Sequence, residues 1–154
     1  MINEPVLEIS GKPDFRIQTD VLKTVLHHFC IITGIGNNII VSLVFCTSEE
    51  MTKINTRYRG VSDTTDVLSF PSESQITSQN KLNKKRFLGE ILVDTNYIFA
   101  QADKIEKDHE ISRIFIHGLL HLIDYDHLNT NQKNEMQEFE NKILESIKQD
   151  GISE

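Results

Sequence analysis

The chain has 154 residues, of which 38% are apolar, 25% charged and 7% aromatic, and its formal net charge is −7. That length favours a single domain over residues 1–154 with its own core, and the absence of an apolar run near 18 residues excludes a membrane-spanning helix. Two cysteines without CxxC spacing exclude a disulfide scaffold and fit free thiols in a reducing compartment, so we expect a cytoplasmic protein.

The first third of the chain predicts a strand, a helix and a second strand. Val6–Ser10 alternates weakly, as a half-buried strand does. A helix begins near Thr19 and ends before Gly34, because its apolar residues recur at helical spacing between those two signals. Ile39–Cys46 is β-branched and aromatic, which is typical of a buried strand.

A capping box predicts where the second helix begins. Thr47 and Glu50 have the required spacing. Three side chains of that helix are expected on one apolar face: Met51, Ile54 and Tyr58. A short strand follows at Asp66–Phe70, and we expect Pro71 to stop it.

The second half of the chain predicts one more strand and three helices. Residues 72–86 lack Val and aromatic side chains and are expected to form a loop, and Leu88–Val93 is expected to be a strand. The helices are expected at about 95–106, 110–123 and 131–148. This order favours an α+β fold in which about five helices pack against one small sheet of about four strands.

Basic residues concentrate in one part of this acidic chain. Residues 51–90 carry 7 basic and 4 acidic side chains, a local excess of +3. A basic zone on an acidic body can bind a polyanion, because salt screens distant charge beyond about 8 Å. Lys84, Lys85 and Arg86 could therefore contact such a substrate, or the run could be an ordinary solvated loop.

Two histidines lie on one face of the predicted helix over 110–123. His117 and His121 are four residues apart, so they are neighbours on the helix surface. On a helical wheel they share one polar stripe with Glu110 and Arg113, and apolar side chains fill the rest of the circumference. Because such a helix is buried, the polar stripe must face a cleft or a polar partner.

A third histidine follows six residues later. His127 can return to the pair if the helix ends near Asp124, a residue type that tolerates a left-handed turn. Three neutral imidazoles leave one tetrahedral position open, which is the pattern of a catalytic zinc site. The alternative is three ordinary histidines, but three within 11 residues favour one zinc ion per chain.

The histidine spacing equals that of the metzincin proteases, H-E-x-x-H-x-x-G-x-x-H. Gly118 stands where those enzymes carry the glutamate base, and glycine cannot accept a proton from bound water. Gly118 therefore counts against peptide hydrolysis despite the shared spacing, and no general base is identifiable. Asp126 could orient a histidine or could cap the turn.

One arginine is a candidate for contact with a charged substrate. Arg59 lies near the end of the predicted second helix, and its guanidinium offers a fork that suits a phosphate. The alternative is a surface arginine that interacts favourably with the helix dipole.

Three blocks of sequence resemble the YbeY endoribonuclease family. The segment His117–Leu122 (HGLLHL), followed by Tyr125–His127 (YDH), resembles the family signature H-G-x-L-H-L-x-G-Y-D-H. Asn55 with Tyr58-Arg59, followed by Thr65–Pro71, is similar to the family's second block. Leu88–Ile91 (LGEI) is similar to the family's L-G-D-I strand.

The resemblance implies a zinc-dependent, single-strand-specific endoribonuclease that matures the 3′ end of 16S rRNA and acts in ribosome quality control. It implies zinc on His117, His121 and His127 in a cleft at the HGLLH helix, a role for Arg59 in that cleft, and a small mixed sheet flanked by helices. The implied partners are single-stranded rRNA and the ribosome or its small-subunit proteins, without membrane or DNA. We expect Lys84, Lys85 and Arg86 to help bind the RNA.

The chain departs from the family pattern at several positions. Asp124 replaces a glycine, while Val61 and Ser62 replace Lys-Asp, which removes a charge near the expected phosphate path. Two other functions stay open: a non-catalytic ribosome assembly factor that contains zinc, and a metal-dependent hydrolase of another substrate such as a peptide.

Overall fold

The computed structural model describes residues 4–11, 19–60, 65–72, 85–96, 107–123 and 130–149, and the structural statements below refer to those ranges. They contain four strands and four helices. In chain order these are β1 (Val6–Ser10), α1 (Thr19–Thr33), β2 (Ile39–Cys46), α2 (Ser48–Arg59), β3 (Val67–Pro71), β4 (Arg86–Asp94), α3 (Lys107–Leu122) and α4 (Thr130–Gln149).

The four strands form one mixed sheet in the order β1-β2-β4-β3. Strands β1, β2 and β4 run parallel, and β3 pairs antiparallel with β4 at the edge. This arrangement confirms the predicted α+β fold with a small mixed sheet. The described residues hold four helices rather than five, because the helix expected at about 95–106 lies outside them except for Thr95 and Asn96.

The two faces of the sheet are covered unequally. Helices α1, α3 and α4 pack on one face and form the larger core, to which the sheet contributes Leu43 and Ile91. Helix α2 packs on the other face over a smaller cluster that includes Met51 and Leu92. Because side chains alternate across a strand, neighbours such as Ile91 and Leu92 serve opposite faces.

The ends of α2 follow from its sequence. The Thr47 hydroxyl accepts a hydrogen bond from the Glu50 backbone N–H, and the Glu50 carboxylate accepts one from the Thr47 N–H, which confirms the capping box. At the other end Gly60 adopts φ 70°, and its N–H bonds to the Thr56 carbonyl. Tyr58 was expected on the buried face of α2 but is 64% exposed, because this end of the helix leaves part of the sheet uncovered.

Strand β3 ends at Pro71, as expected, but includes the proline as its last residue. Pro71 pairs with Gly89 as the last residue of the strand. The next N–H, that of Ser72, donates to the Leu88 carbonyl, so the missing donor of Pro71 would have pointed away from the sheet. An edge strand accepts proline at such a position without losing a ladder hydrogen bond.

Gly89 lies at an irregularity in the pairing of β2 with β4. The register shifts between Ile40 and Val41, which leaves one extra residue on β4. A Cβ added at Gly89, where φ is 153°, would lie 2.6 Å from the Phe70 carbonyl oxygen and 2.7 Å from Leu122 Cδ2. The strand and the end of α3 therefore approach each other over a position that only glycine fits.

Substitution Gly89→Ala is expected to cost about 3 kcal/mol or more of unfolding free energy, because the methyl group meets backbone as well as a packed leucine. Gly34→Ala is the matched control: it also has a positive φ, 76°, but no atom within 4 Å of the added Cβ. Its expected cost is about 1–2 kcal/mol. Urea denaturation followed by circular dichroism measures both, and equal losses would contradict this packing.

Candidate metal centre

The polar stripe of α3, formed by Glu110, Arg113, His117 and His121, is where the helical wheel placed it. These four side chains are partly buried, whereas α3 buries apolar residues around most of its circumference. The fully buried members of α3 include Phe115, Ile116, Leu119 and Leu120. The histidines therefore lie on the one side of α3 that the core does not cover.

The two histidine rings converge on each other. Their Nε2 atoms are 3.1 Å apart, with ring centroids at 4.6 Å and ring planes inclined at 76°. Two imidazoles on one tetrahedral zinc, at about 2.0–2.1 Å each, would place their nitrogens about 3.3 Å apart. The described geometry of His117 and His121 therefore fits two ligands of a single ion.

A glutamate from α4 holds one of these rings. Glu140 Oε1 lies 2.9 Å from His117 Nδ1, and the carboxylate is buried at 8% exposure. When Nδ1 donates to this carboxylate, the lone pair of Nε2 points toward His121, where it can accept a hydrogen bond from His121 Nε2–H or coordinate a metal. The pair thus has the outer hydrogen bond that metal-binding histidines normally make.

Glu140 is absent from the site residues that the sequence predicts, although the pattern of α4 contains a signal for it. Met136, Ile143 and Ile147 form the buried stripe of α4, and Glu140 lies on the same stripe. A carboxylate in an apolar stripe needs a buried partner. The identity of that partner required the packing of α4 against α3.

Charge is balanced along the stripe by Arg113. Its guanidinium donates to both Glu110 oxygens, with Nε at 3.0 Å and Nη2 at 2.7 Å. These hydrogen bonds lower the pKa of Glu110 and raise the pKa of Arg113, which is raised further by the charges of Glu140 and Asp66. The buried carboxylate of Glu140 therefore lies in the field of a cation that is itself fixed in position.

Several residues of the expected site lie outside the described residues. These include the third histidine, His127, and also Lys84, Asp124, Asp126, Val61 and Ser62. Within the part of the chain that is described, no group of three or more His, Cys, Asp or Glu side chains is arranged to hold a metal ion. Among the described residues, His117 and His121 are therefore two candidate donors, and a metal site would need a third from another part of the chain.

The two cysteines are free thiols and both are buried. Burial raises the pKa of Cys30 to about 12 and that of Cys46 to about 11, where the nearby carboxylates of Glu50, Glu90 and Asp94 also contribute. Neither thiol is therefore poised to act as a thiolate ligand.

Arg59 belongs to α2, the helix that packs on the other face of the sheet from the histidine helix α3. It is the last residue of α2 and is exposed. Both helices nevertheless contact the same edge strand: the Tyr58 ring packs on Phe70 at 5.4 Å, and the Ser69 hydroxyl donates to the Gly118 carbonyl at 3.2 Å. The edge strand β3 thus lies between the end of α2 and the histidine helix α3.

The described basic residues Lys85 and Arg86 lie where β4 begins. Lys85 Nζ donates to the carbonyls of Glu4 and Asn37, and Arg86 N–H donates to the Asn38 carbonyl at 3.0 Å. Helix α3 runs toward the same end of the sheet, because Leu122 reaches Gly89 whereas Gly118 faces Ile91. The basic residues and the end of the histidine helix are therefore at one end of the sheet.

Gly118 faces the sheet and not the polar stripe. A Cβ at this position would lie 2.9 Å from Ile91 Cγ2 and 3.2 Å from the Ser69 hydroxyl. A glutamate at this position would therefore have no room against Ile91 and Ser69. The peptidase base is therefore missing for a steric reason as well as a chemical one.

Comparisons with known proteins agree on one family. The family described as Endoribonuclease YbeY matches residues 10–148. Endoribonuclease YbeY of Thermodesulfovibrio yellowstonii is 35% identical over 113 residues, which cover 71% of this chain and 68% of that protein. Endoribonuclease YbeY of Shouchella clausii is 30% identical over 136 residues, covering 84% of this chain and 85% of that protein.

The fold also resembles a solved structure. The solution structure of TM1509 from Thermotoga maritima superposes with a TM-score of 0.57 at 19% identity, covering 97% of this chain and 96% of that one. At this identity the likeness concerns the fold. Among the helices within the described ranges, none is both long and apolar enough to cross a bilayer.

Substitution Glu140→Ala in metal-free protein is expected to cost about 1–3 kcal/mol of unfolding free energy, because it removes the buried partner of His117 Nδ1. Glu138→Ala is the matched control, since Glu138 is exposed on the same helix. Urea denaturation in the presence of a chelator measures both. Equal stabilities of the two variants would show that the hydrogen bond contributes nothing to folding.

Proposed function

Because the chain belongs to the YbeY endoribonuclease family, we propose that it is a zinc-dependent endoribonuclease that cleaves single-stranded RNA. The observation that carries this proposal is the convergence of the His117 and His121 Nε2 atoms at 3.1 Å, with Glu140 oriented on the outer nitrogen. Two histidines arranged in this way suit a metal ion. The relatives that this chain matches are named as endoribonucleases.

The proposed ligands of the zinc are His117, His121 and His127. The ion, when bound, supplies a Lewis acid and lowers the pKa of a bound water to about 7. Glu140 is proposed to accept a hydrogen bond from the Nδ1–H of His117, which orients Nε2 toward the ion. Arg59 is proposed to offset the charge that develops on the phosphate oxygens.

The proposed substrate is rRNA, with maturation of the 3′ end of 16S rRNA and ribosome quality control as the processes served. Lys84, Lys85 and Arg86 are proposed to contact its backbone. The described members of this set, Lys85 and Arg86, lie at the end of the sheet where α3 also ends. A net charge of −7 disfavours tight binding of naked RNA. We therefore propose that the ribosome or its small-subunit proteins present the substrate, in the cytoplasm.

Two other functions make different predictions. A peptidase needs a base beside the zinc, and the burial of Gly118 against Ile91 disfavours one at that position. A non-catalytic assembly factor would bind zinc and the ribosome without cutting RNA. A cleavage assay separates this last case from an enzyme.

The zinc-loaded chain is expected to cleave a single-stranded RNA, and His121→Ala and Arg59→Ala are each expected to slow cleavage about 100-fold or more, through loss of a ligand and of charge stabilisation. Lys23→Ala, an exposed cation on α1, is the matched control and should cut at the wild-type rate. Gel electrophoresis of a labelled RNA measures the rates. Equal cutting by all four proteins would reveal a contaminating nuclease and contradict the proposal.

Mass spectrometry under native conditions is expected to find about one zinc ion per chain. Glu140→Gln should weaken zinc binding roughly 10–100-fold in a chelator competition, because the amide is a poorer acceptor for His117 Nδ1. Glu138→Gln on the exposed side of α4 should leave the affinity unchanged. Wild-type affinity in the Glu140 variant would contradict the orienting role of this carboxylate.

A further inference from the structure

A groove lies on the face of the sheet that α2 leaves partly uncovered. We call it the aromatic groove and define it by the residues that line it: Lys53, Ile54, Arg57, Tyr58, Phe70, Glu90 and Leu92. Its volume is about 560 Å³, within the range of about 300–1,000 Å³ that is usual for small-ligand sites. It lies across the sheet from the histidine pair, and Arg59 follows directly after Tyr58.

An exposed aromatic ring forms one wall of the groove. Tyr58 is 64% exposed and contacts Phe70 edge to face, with ring centroids 5.4 Å apart and planes inclined at 67°. The Arg57 guanidinium carbon lies 6.0 Å from the centre of the Tyr58 ring. The position of the ring is therefore set by neighbours on two elements, while much of its surface stays accessible to a planar partner.

The rim and the floor of the groove differ in chemistry. Ile54, Phe70 and Leu92 give it an apolar floor, and Lys53 and Arg57 add two positive charges from α2. Lys53 pairs with Glu49 at 3.5 Å, but both side chains are more than three-quarters exposed, so this pair contributes little. Apolar rings beside cations suit a ligand that has flat bases on a phosphate backbone.

Among the described residues that line the groove, Glu90 is the one carboxylate. Glu90 Oε2 accepts one hydrogen bond from the Ser42 hydroxyl at 3.4 Å, and the residue is partly buried. A carboxylate only accepts hydrogen bonds, so it would repel a phosphate at this depth but would bind the N–H groups of a base. Guanine offers two such groups side by side, whereas uracil flanks its single N–H with carbonyl oxygens.

We propose that the aromatic groove binds one unpaired base of the RNA, with Tyr58 stacking on the base and Glu90 accepting from its N–H groups, which favours guanine. The inference rests on the proposed function, and it names residues that would distinguish single strands from duplexes. A paired base cannot leave its stack to enter the groove without the cost of unpairing. The cations Lys53 and Arg57 favour a nucleic acid over an apolar peptide as the occupant.

Binding is tested on the full chain in the presence of a chelator, so that no metal-dependent cutting occurs. The probe is a labelled single-stranded octaribonucleotide that contains one guanine in a uracil background, and fluorescence anisotropy gives Kd. Tyr58→Ala is expected to raise Kd roughly tenfold or more, while Tyr58→Phe keeps the ring and stays near the wild-type value. Ile31→Ala is the matched control, since Ile31 is another exposed apolar residue, on α1.

A spectroscopic measurement reports stacking directly. The chain contains no Trp, so Tyr58→Trp introduces a single reporter into the groove. Its fluorescence is expected to be quenched by the single-stranded octamer and not by the same sequence annealed to its complement. Absence of quenching at saturating RNA would overturn the stacking role, even if the RNA binds elsewhere on the chain.

The base preference is tested with Glu90→Gln. It is expected to remove the preference for the guanine-containing octamer over an all-uracil octamer, because an amide presents one acceptor and one donor in place of two acceptors. Equal affinities of the wild type for the two octamers would overturn the role of Glu90. Unchanged binding by Tyr58→Ala would overturn the groove as an RNA site, which would be the expected result if it holds an apolar peptide.

The two proposals fail separately. Tyr58-dependent binding without any cutting by the zinc-loaded chain would contradict the nuclease and leave the groove intact. Cutting that depends on His121, combined with binding that is indifferent to Tyr58, would contradict the groove and leave the nuclease intact.

Discussion

The hydrogen bond between His117 and Glu140 is the interaction on which the candidate site depends. It joins the two helices that close one side of the core, and it fixes which nitrogen of His117 faces His121. Burial strengthens it, because a carboxylate removed from water gains more from each donor than an exposed one. Arg113 is hydrogen-bonded to Glu110, and its positive charge offsets part of the cost of burying the Glu140 carboxylate. Helix packing and the proposed metal binding therefore rely on the same contact.

Much of the fold could be predicted from the sequence, because the strands and helices have recognisable local patterns of apolar residues and end signals. The strands β1 and β2 match their expected bounds, and the capping box fixes the start of α2. The histidine pair could also be predicted, since residues four apart on a helix are neighbours on its surface. Glu140 could not be predicted in the same way, because it lies 23 residues after His117 and only the packing of α3 on α4 brings the two side chains together.

The sheet divides the proposed activity into two faces. Helix α3 brings the histidines to one face, and the end of α2 brings Tyr58 and Arg59 to the other, with β3 as the boundary. Periodicity alone predicts that Tyr58 is buried, and this prediction is wrong. Helix α2 faces the sheet as expected, but among the described residues the sheet offers the Tyr58 ring no cover beyond Phe70. A residue at the margin of a layer can satisfy the apolar pattern and still contact solvent.

The proline at the end of β3 has a consequence for how copies of the chain meet. An edge strand presents unpaired N–H and C=O groups, which can template a foreign strand. The Ser72 N–H points inward to Leu88, so the outward position belongs to Pro71, which has no hydrogen to offer. A strand of another molecule that paired along β3 would lack one backbone hydrogen bond at Pro71. This edge therefore carries its own protection against aggregation through strand-to-strand pairing.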